Sequence, residues 1–280
     1  MALAALVITY AKQSLTDVPF FTFVWLQMAF ASGAMLINTF IFQKEKLPRN
    51  IKSKIYLIIV GIGLLNYLLV RILFYYSLER LPVTTHAYLL NFVGVVTMIL
   101  SMFFLREKPR ITQVFGAMMA MFGLWLFFSE SPKEGELMGM FAVSLAVLCL
   151  AGTNILLRHL HMIKDHGLSH NYIATFSVCI GSIPLVLFGL MNDLPLPSIS
   201  ASNWIIIIAN GLVANALVMT AFSHAMQYLK AYEASMIAMT ALIFTALFAM
   251  PILGDYLNLS ELLGIILMLI GIGFVQRQVN

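Results

Sequence analysis

Phe74–Gly116 reads FYYSLERLPVTTHAYLLNFVGVVTMILSMFFLREKPRITQVFG. It is a helix end, a sharp turn at Pro82, a long apolar helix, a charged turn at Arg106-Glu107-Lys108 and the start of another helix. The pattern returns at Phe222–Gly264. A shift of 148 residues superposes the copies without a gap. Leu64/Leu212, Phe74/Phe222, Leu81/Leu229, Thr97/Thr245, Leu105/Leu253, Gly116/Gly264 and Gly123/Gly271 then become identical pairs. The matching turns carry the argument, because apolar composition alone does not force agreement there.

Outward from this stretch the rest of the chain has the same character. Of 280 residues, 61% are hydrophobic and 10% charged, and the mean hydropathy is +0.94. A water-soluble domain is about half apolar and a quarter charged. This chain has too little polar surface to cover itself in water. Apolar runs of roughly 20 residues suit helices that cross a bilayer, where an isolated strand would leave backbone groups unpaired. The expected fold is an all-α polytopic membrane protein with ten transmembrane helices, at about 1–12, 20–43, 55–78, 82–105, 110–129, 137–158, 171–192, 203–226, 230–253 and 259–277. The first is too short to span alone, so either the chain starts further upstream or this helix is partly buried among its neighbours. Pro184 and Pro251 fall inside helices and can kink them. Cys149 and Cys179 lie in apolar runs and read as small hydrophobes.

Charge sets the orientation. Lys44, Lys46, Arg49, Lys52 and Lys54 share one loop, which places it in the cytoplasm. Alternate threading from there puts both termini inside. Arg106, Lys108, Arg110, Arg158, Lys164, Lys230 and Arg277 then also lie inside, making 12 of the 16 basic residues. Lys12, Arg80 and Lys133 lie outside, and Arg71 is left within the third helix. Two five-helix halves, 1–129 and 137–280, are joined by an external linker at 130–136. Five is odd, so the second half is inverted relative to the first. The turn chemistry agrees: Arg106-Glu107-Lys108 is basic, whereas its counterpart Gly254-Asp255-Tyr256 is acidic. Inverted repeats of this kind put a site near the midplane, between halves that can rock.

At these turns the chain resembles the drug/metabolite transporter superfamily, and within it the EamA-type transporters. The family's Leu-Gly-Glu turn after the fourth helix of each half appears as Leu105-Arg106-Glu107 and Leu253-Gly254-Asp255. The short link before the fourth helix is Tyr76–Pro82, a glycine follows the turn twice as Gly116 and Gly264, and Lys12 and Arg158 match the basic residue near the end of each half's first helix. Gly94 and Leu242 stand where the family often has proline. The resemblance implies a ten-helix secondary transporter that exports amino acids, amines or related metabolites, in a cell membrane such as a bacterial inner membrane. It supplies no substrate.

A charge inside a membrane helix costs about 2.5–3.5 kcal/mol on insertion scales. Arg71 is the clearest such charge, and Tyr67, Arg71 and Tyr75 share one helix face. That stripe is either a cavity wall that binds an anionic group or an interhelical anchor, with Arg71 paired to Glu79. Asn215 and Met219 are the repeat counterparts of Tyr67 and Arg71 and form a facing stripe with Phe222 or Ser223, or else pack ordinarily. His86, Asn91 and His224 are further substrate-contact candidates, and a histidine can also carry protons. Glu233, the counterpart of Thr85, is either a coupling carboxylate or a first-turn acid favoured by the helix dipole. Gln27, Asn66, Thr153 and Asn154 read as helix-joining polar groups. His159, His161, His166 and His170 cluster after the sixth helix but match no zinc spacing.

The sequence contains no P-loop, no HExxH and no GxSxG. No catalytic residue, metal or cofactor is expected, and the chain does not read as an enzyme. The expected partners are a small-molecule substrate, membrane lipids and protons as a coupling ion, with no nucleic acid, in a monomer or homodimer. The leading reading is a secondary transporter working by alternating access. An organic-anion or phosphometabolite exchanger, a lipid flippase and an integral-membrane enzyme are the alternatives.

Overall fold

A computed structural model describes residues 2–45, 52–127, 136–163, 168–194, 196–225, 228–231, 234, 238, 241–254 and 258–276. Every regular element among them is helical. The chain runs through α1 (Ala2–Ser14), α2 (Phe20–Phe42), α3 (Ser53–Arg80), α4 (Val83–Phe104), α6 (Glu136–Met162), α7 (His170–Asn192) and α8 (Ala201–Phe222). Between and after these come α5 (Ile111–Phe127), α9 (Ala241–Leu253) and α10 (Leu259–Gln276). The six segments from α2 to α4 and α6 to α8 are long and apolar enough to cross a bilayer, and α5, α9 and α10 hold shorter apolar helices. Their broad apolar exteriors face a solvent of lipid, and the protein is a multi-pass membrane protein. α1, with 13 residues, is short of a full span.

Local chemistry marks the starts of four helices close to the expected boundaries. Pro19 and Pro82 stand in extended conformation just before α2 and α4, where a missing N–H costs nothing. The hydroxyls of Ser169 and Ser200 accept from the backbone N–H of Tyr172 and Asn203 at 3.0 and 3.3 Å, capping α7 and α8.

The tertiary contacts obey the 148-residue shift. α3 lies against α6 and α7, and its counterpart α8 lies against α1 and α2; α4 meets α6 as α9 meets α1. α2 pairs with α7, and α5 with α10. At the α5–α10 crossing, a Cβ on Gly123 would stand 2.7 Å from the Gly264 carbonyl oxygen, and one on Gly271 would stand 2.5 Å from that of Gly116. These are the same contact seen from the two halves, so a pseudo-two-fold axis passes between the helices. At the α2–α7 pair the two repeat-related carboxylates both accept across the pair, from donors that are not themselves counterparts. Glu45 accepts a hydrogen bond from Ser169, and its counterpart Asp193 accepts one from Trp25 Nε1 at 2.8 Å.

Three features depart from the simple helices expected, the first being a π-helical end to α2 at Ile37–Phe42. α3 and α8 each contain a π-helical stretch, at Gly63–Leu69 and Asn210–Leu217, at repeat-related positions. α4 is interrupted at Asn91, whose backbone N–H is shared between Ala87 and Tyr88 carbonyls at 3.3 and 3.1 Å. Wide turns and breaks of this sort cluster at functional sites.

Arg106 and Gly254, at equivalent turn positions, both have left-handed backbones, with φ of 55° and 68°. Glycine adopts that conformation freely, but a side chain there costs about 1–2 kcal/mol. Arg106→Gly is therefore expected to raise stability by about 1 kcal/mol, read as a higher Tm in detergent. A lowered Tm would mean that the arginine side chain contributes more than its backbone strain costs.

Candidate functional site

A cavity of about 220 Å³ lies between the halves, walled by α1, α3, α4, α6, α7, α8 and α9. Most of its lining is aliphatic or aromatic: Ile8, Ile62, Val70, Phe74, Leu90, Val93, Leu150, Leu157, Ile173, Val218 and Phe222. The polar lining is sparse and comes from both regular and irregular segments. Asn66 and Tyr67 stand on the π-helical part of α3, Asn91 at the break in α4, and Thr153 and Asn154 on α6.

Arg71 is the cation of the described lining. It is 5% exposed, and its guanidinium carbon lies 5.8 Å from the centre of the Tyr67 ring. Among the described residues its Nε has no hydrogen-bond partner and no carboxylate pairs with it. The pairing with Glu79 does not form: Glu79 is bound to Arg80 at the helix end, and Arg80 in turn lies over Tyr76, 3.6 Å from the ring centre. A buried cation whose partners among the described residues are the phenols of Tyr67 and Tyr75 is poorly compensated. An incoming anion would supply what the protein does not.

Tyr67, Arg71 and Tyr75 all line the cavity, as one helix face should. Tyr75 has a second task. Its hydroxyl lies 2.9 Å from Gln27 Oε1 and 3.2 Å from Asn210 Oδ1. Asn215 Nδ2 donates to Gln27 Oε1 at 3.2 Å and to the Asn210 carbonyl at 3.1 Å. Asn210 Nδ2 donates to the Val7 carbonyl at 3.1 Å. This network joins α1, α2, α3 and α8 beside the cavity. Asn215 belongs to it, while the α8 side of the lining is Ala214, Val218 and Phe222. The side chain of Met219 and all of Glu233 lie outside the described residues.

His86 and Asn91 line the same cavity, and His86 Nδ1 is 2.9 Å from Ser77 Oγ. His224 is not brought to it. It lies with His170, Asn38, Asn171 and Thr220 around a separate open cavity. His161, His170 and His224 form a row of rings with centroids 5.5 and 5.4 Å apart, yet no group among the described residues is arranged to hold a metal ion. His166 lies outside the described residues.

The sequence reading passed over Ser177, Asn210 and Thr245. Ser177 and Thr245 line the cavity. Asn210 lies five residues before Asn215, a spacing that shares a face only in a π-helix. Two asparagines so spaced in an apolar run were the available signal.

The EamA-like transporter family matches residues 1–129 and 137–277. A relative from Bacillus subtilis (strain 168), described as the uncharacterized transporter YxxF, is 26% identical over 213 residues, covering 72% of this chain. The match spans 65% of that relative's length. One solved crystal structure superposes with a TM-score of 0.71 over 97% of this chain and 93% of its own, at 16% identity, a likeness of fold alone.

Proposed function

The chain belongs to the EamA-like transporter family, and from that premise we propose that it is a secondary transporter of small metabolites carrying a carboxylate and an apolar body. The single observation behind this reading is Arg71: a buried guanidinium on the wall of a small, mostly apolar cavity, with no carboxylate partner among the described residues. Charge-assisted hydrogen bonds to a carboxylate would satisfy it, and the aliphatic wall would take the rest of the solute. Amino acids and related organic acids fit this description; simple amines do not, because they would set a second cation beside the first. A phosphometabolite would bring about two negative charges and call for more than one cation. The two halves would expose the cavity to either face in turn, with both termini in the cytoplasm.

The test uses purified protein in liposomes and three solutes of one skeleton: 4-methylpentanoate, its neutral amide and 3-methylbutylamine. The carboxylate is expected to move at least about tenfold faster than in protein-free vesicles, and the amide and amine near background. A tenfold ratio corresponds to about 1.4 kcal/mol of discrimination, less than one charged hydrogen bond supplies. Protein-dependent movement of the amine alone would replace this reading with a cation transporter.

A further inference from the structure

We propose that His86 is a specificity-determining residue of this cavity, a fixed hydrogen-bond acceptor that selects carboxylates also bearing a hydroxyl or N–H group. The inference rests on the carboxylate reading above and extends it to a second point of contact.

One proton decides the tautomer of His86. Ser77 Oγ is 2.8 Å from the Phe74 carbonyl oxygen and 2.9 Å from His86 Nδ1. A hydroxyl has a single hydrogen to donate. If it goes to His86 Nδ1, the contact with the Phe74 carbonyl is left without a proton. If it goes to Phe74, the imidazole N–H at Nδ1 donates to Ser77 Oγ and both contacts are hydrogen bonds. Buried polar groups adopt the arrangement with the most bonds made, so the ring is the Nδ1–H tautomer. Its Nε2 then carries a lone pair and no hydrogen.

That lone pair has no partner among the described residues. His86 is 1% exposed, and the residue lines the cavity with Arg71. The ring cannot turn away from this pose at low cost. The Phe74 ring stands against it edge-on at 4.5 Å between centroids, and the Ser77 bond holds the opposite nitrogen. The cavity wall therefore combines a donor-rich cation with a neutral acceptor whose Nε2 is closed to a water-sized group in this structure, so a solute meets it only by displacing the side chains over it. A solute with a carboxylate alone meets only the first. A solute with a hydroxyl or N–H near its carboxylate meets both, and one lacking that donor leaves Nε2 buried and unpaired. Sites built to receive a substrate hydrogen bond discriminate strongly against analogues that lack it.

The experiment compares binding of 4-methylpentanoate and 2-hydroxy-4-methylpentanoate to the purified full chain in detergent, by ligand-induced thermal shift and equilibrium titration. The wild-type protein is expected to prefer the hydroxy acid by about tenfold, the equivalent of about 1.4 kcal/mol. In His86→Phe the preference should fall to about onefold while the plain acid still binds. Ser77→Ala, which keeps the imidazole but frees its tautomer, should reduce the preference without erasing it. Imidazole nitrogen NMR of the wild type, with the His86 signal assigned by its loss in His86→Gln, should show a protonated Nδ1 and a bare Nε2. Equal binding of the two acids by the wild type, a preference that survives His86→Phe, or a protonated Nε2 overturns the role of His86 and leaves the Arg71 reading standing. Binding of neither acid overturns the carboxylate reading and this inference with it.

Discussion

Replacing Arg71 by methionine is expected to weaken carboxylate binding by one to two orders of magnitude and, at the same time, to raise the melting temperature of the ligand-free protein. The two effects have one cause. Arg71 is buried against Tyr67 without an acceptor among the described residues, so the folded protein carries the desolvation cost of a cation that it does not compensate. Replacing buried ionic groups by apolar residues of similar volume is often stabilising by about 1–4 kcal/mol. A hydrogen bond to a charged group contributes about 1.5–3 kcal/mol, so losing it should weaken carboxylate binding by about 10- to 150-fold. Arg71→Lys keeps the charge but not the planar fork, and should retain weakened binding. Thermal melts with and without 4-methylpentanoate read both effects. If Arg71 were a structural anchor, R71M would melt lower. A lower Tm with unchanged binding would remove Arg71 from the site.

The second large effect belongs to the α5–α10 crossing. Gly123→Ala would put a methyl group 2.7 Å from the Gly264 carbonyl oxygen and 3.0 Å from the Met268 nitrogen. Gly271→Ala would put one 2.5 Å from the Gly116 oxygen and 2.9 Å from the Ala120 nitrogen. The opposing atoms are backbone, so a rotamer change cannot relieve the clash and the helices must separate. Overpacking of this kind costs about 1–3 kcal/mol per site, outweighing the roughly 1 kcal/mol that alanine gains over glycine inside a helix. The two contacts lie two helical turns apart, so the double variant should lose nearly the sum. Gly33→Ala is the control. A Cβ there meets nothing within 4 Å, and the same propensity should make it neutral or slightly stabilising. Equal stability of all three variants would mean that the crossing is not the close approach described here. In a bilayer, where helices gain little from hiding apolar surface from one another, such close backbone contacts are a main source of association.

The glycines illustrate how far sequence reading reaches. Gly116/Gly264 and Gly123/Gly271 are visible as repeat-related identities. That Gly116 opposes Gly271, and Gly123 opposes Gly264, is not, because the repeat relates positions within each half and the crossing pairs them between halves. The shared face of Tyr67, Arg71 and Tyr75 follows from helical spacing. The diversion of Tyr75 to Gln27 and Asn210 does not, since those partners are 48 and 135 residues away. The placement of Asn215 in that network, beside the cavity lining, has a local cause. The π-helical stretch Asn210–Leu217 shifts the face that a regular helix would present.

By itself the sequence determined that this is a helical membrane protein built twice over, where most of its turns fall, and that Arg71 places a charge inside the bilayer. These follow from local physics: partition of apolar runs into lipid, the turn chemistry of proline and glycine, and a repeat that can be read by alignment. Only the tertiary structure decided which polar groups meet. It joined Tyr75 and Asn215 to a network, left Arg71 without a carboxylate partner among the described residues, set His86 Nδ1 against Ser77 Oγ, and separated His224 from them all. Those outcomes depend on how helices distant in the chain cross, and crossing geometry is set by packing that no single segment encodes.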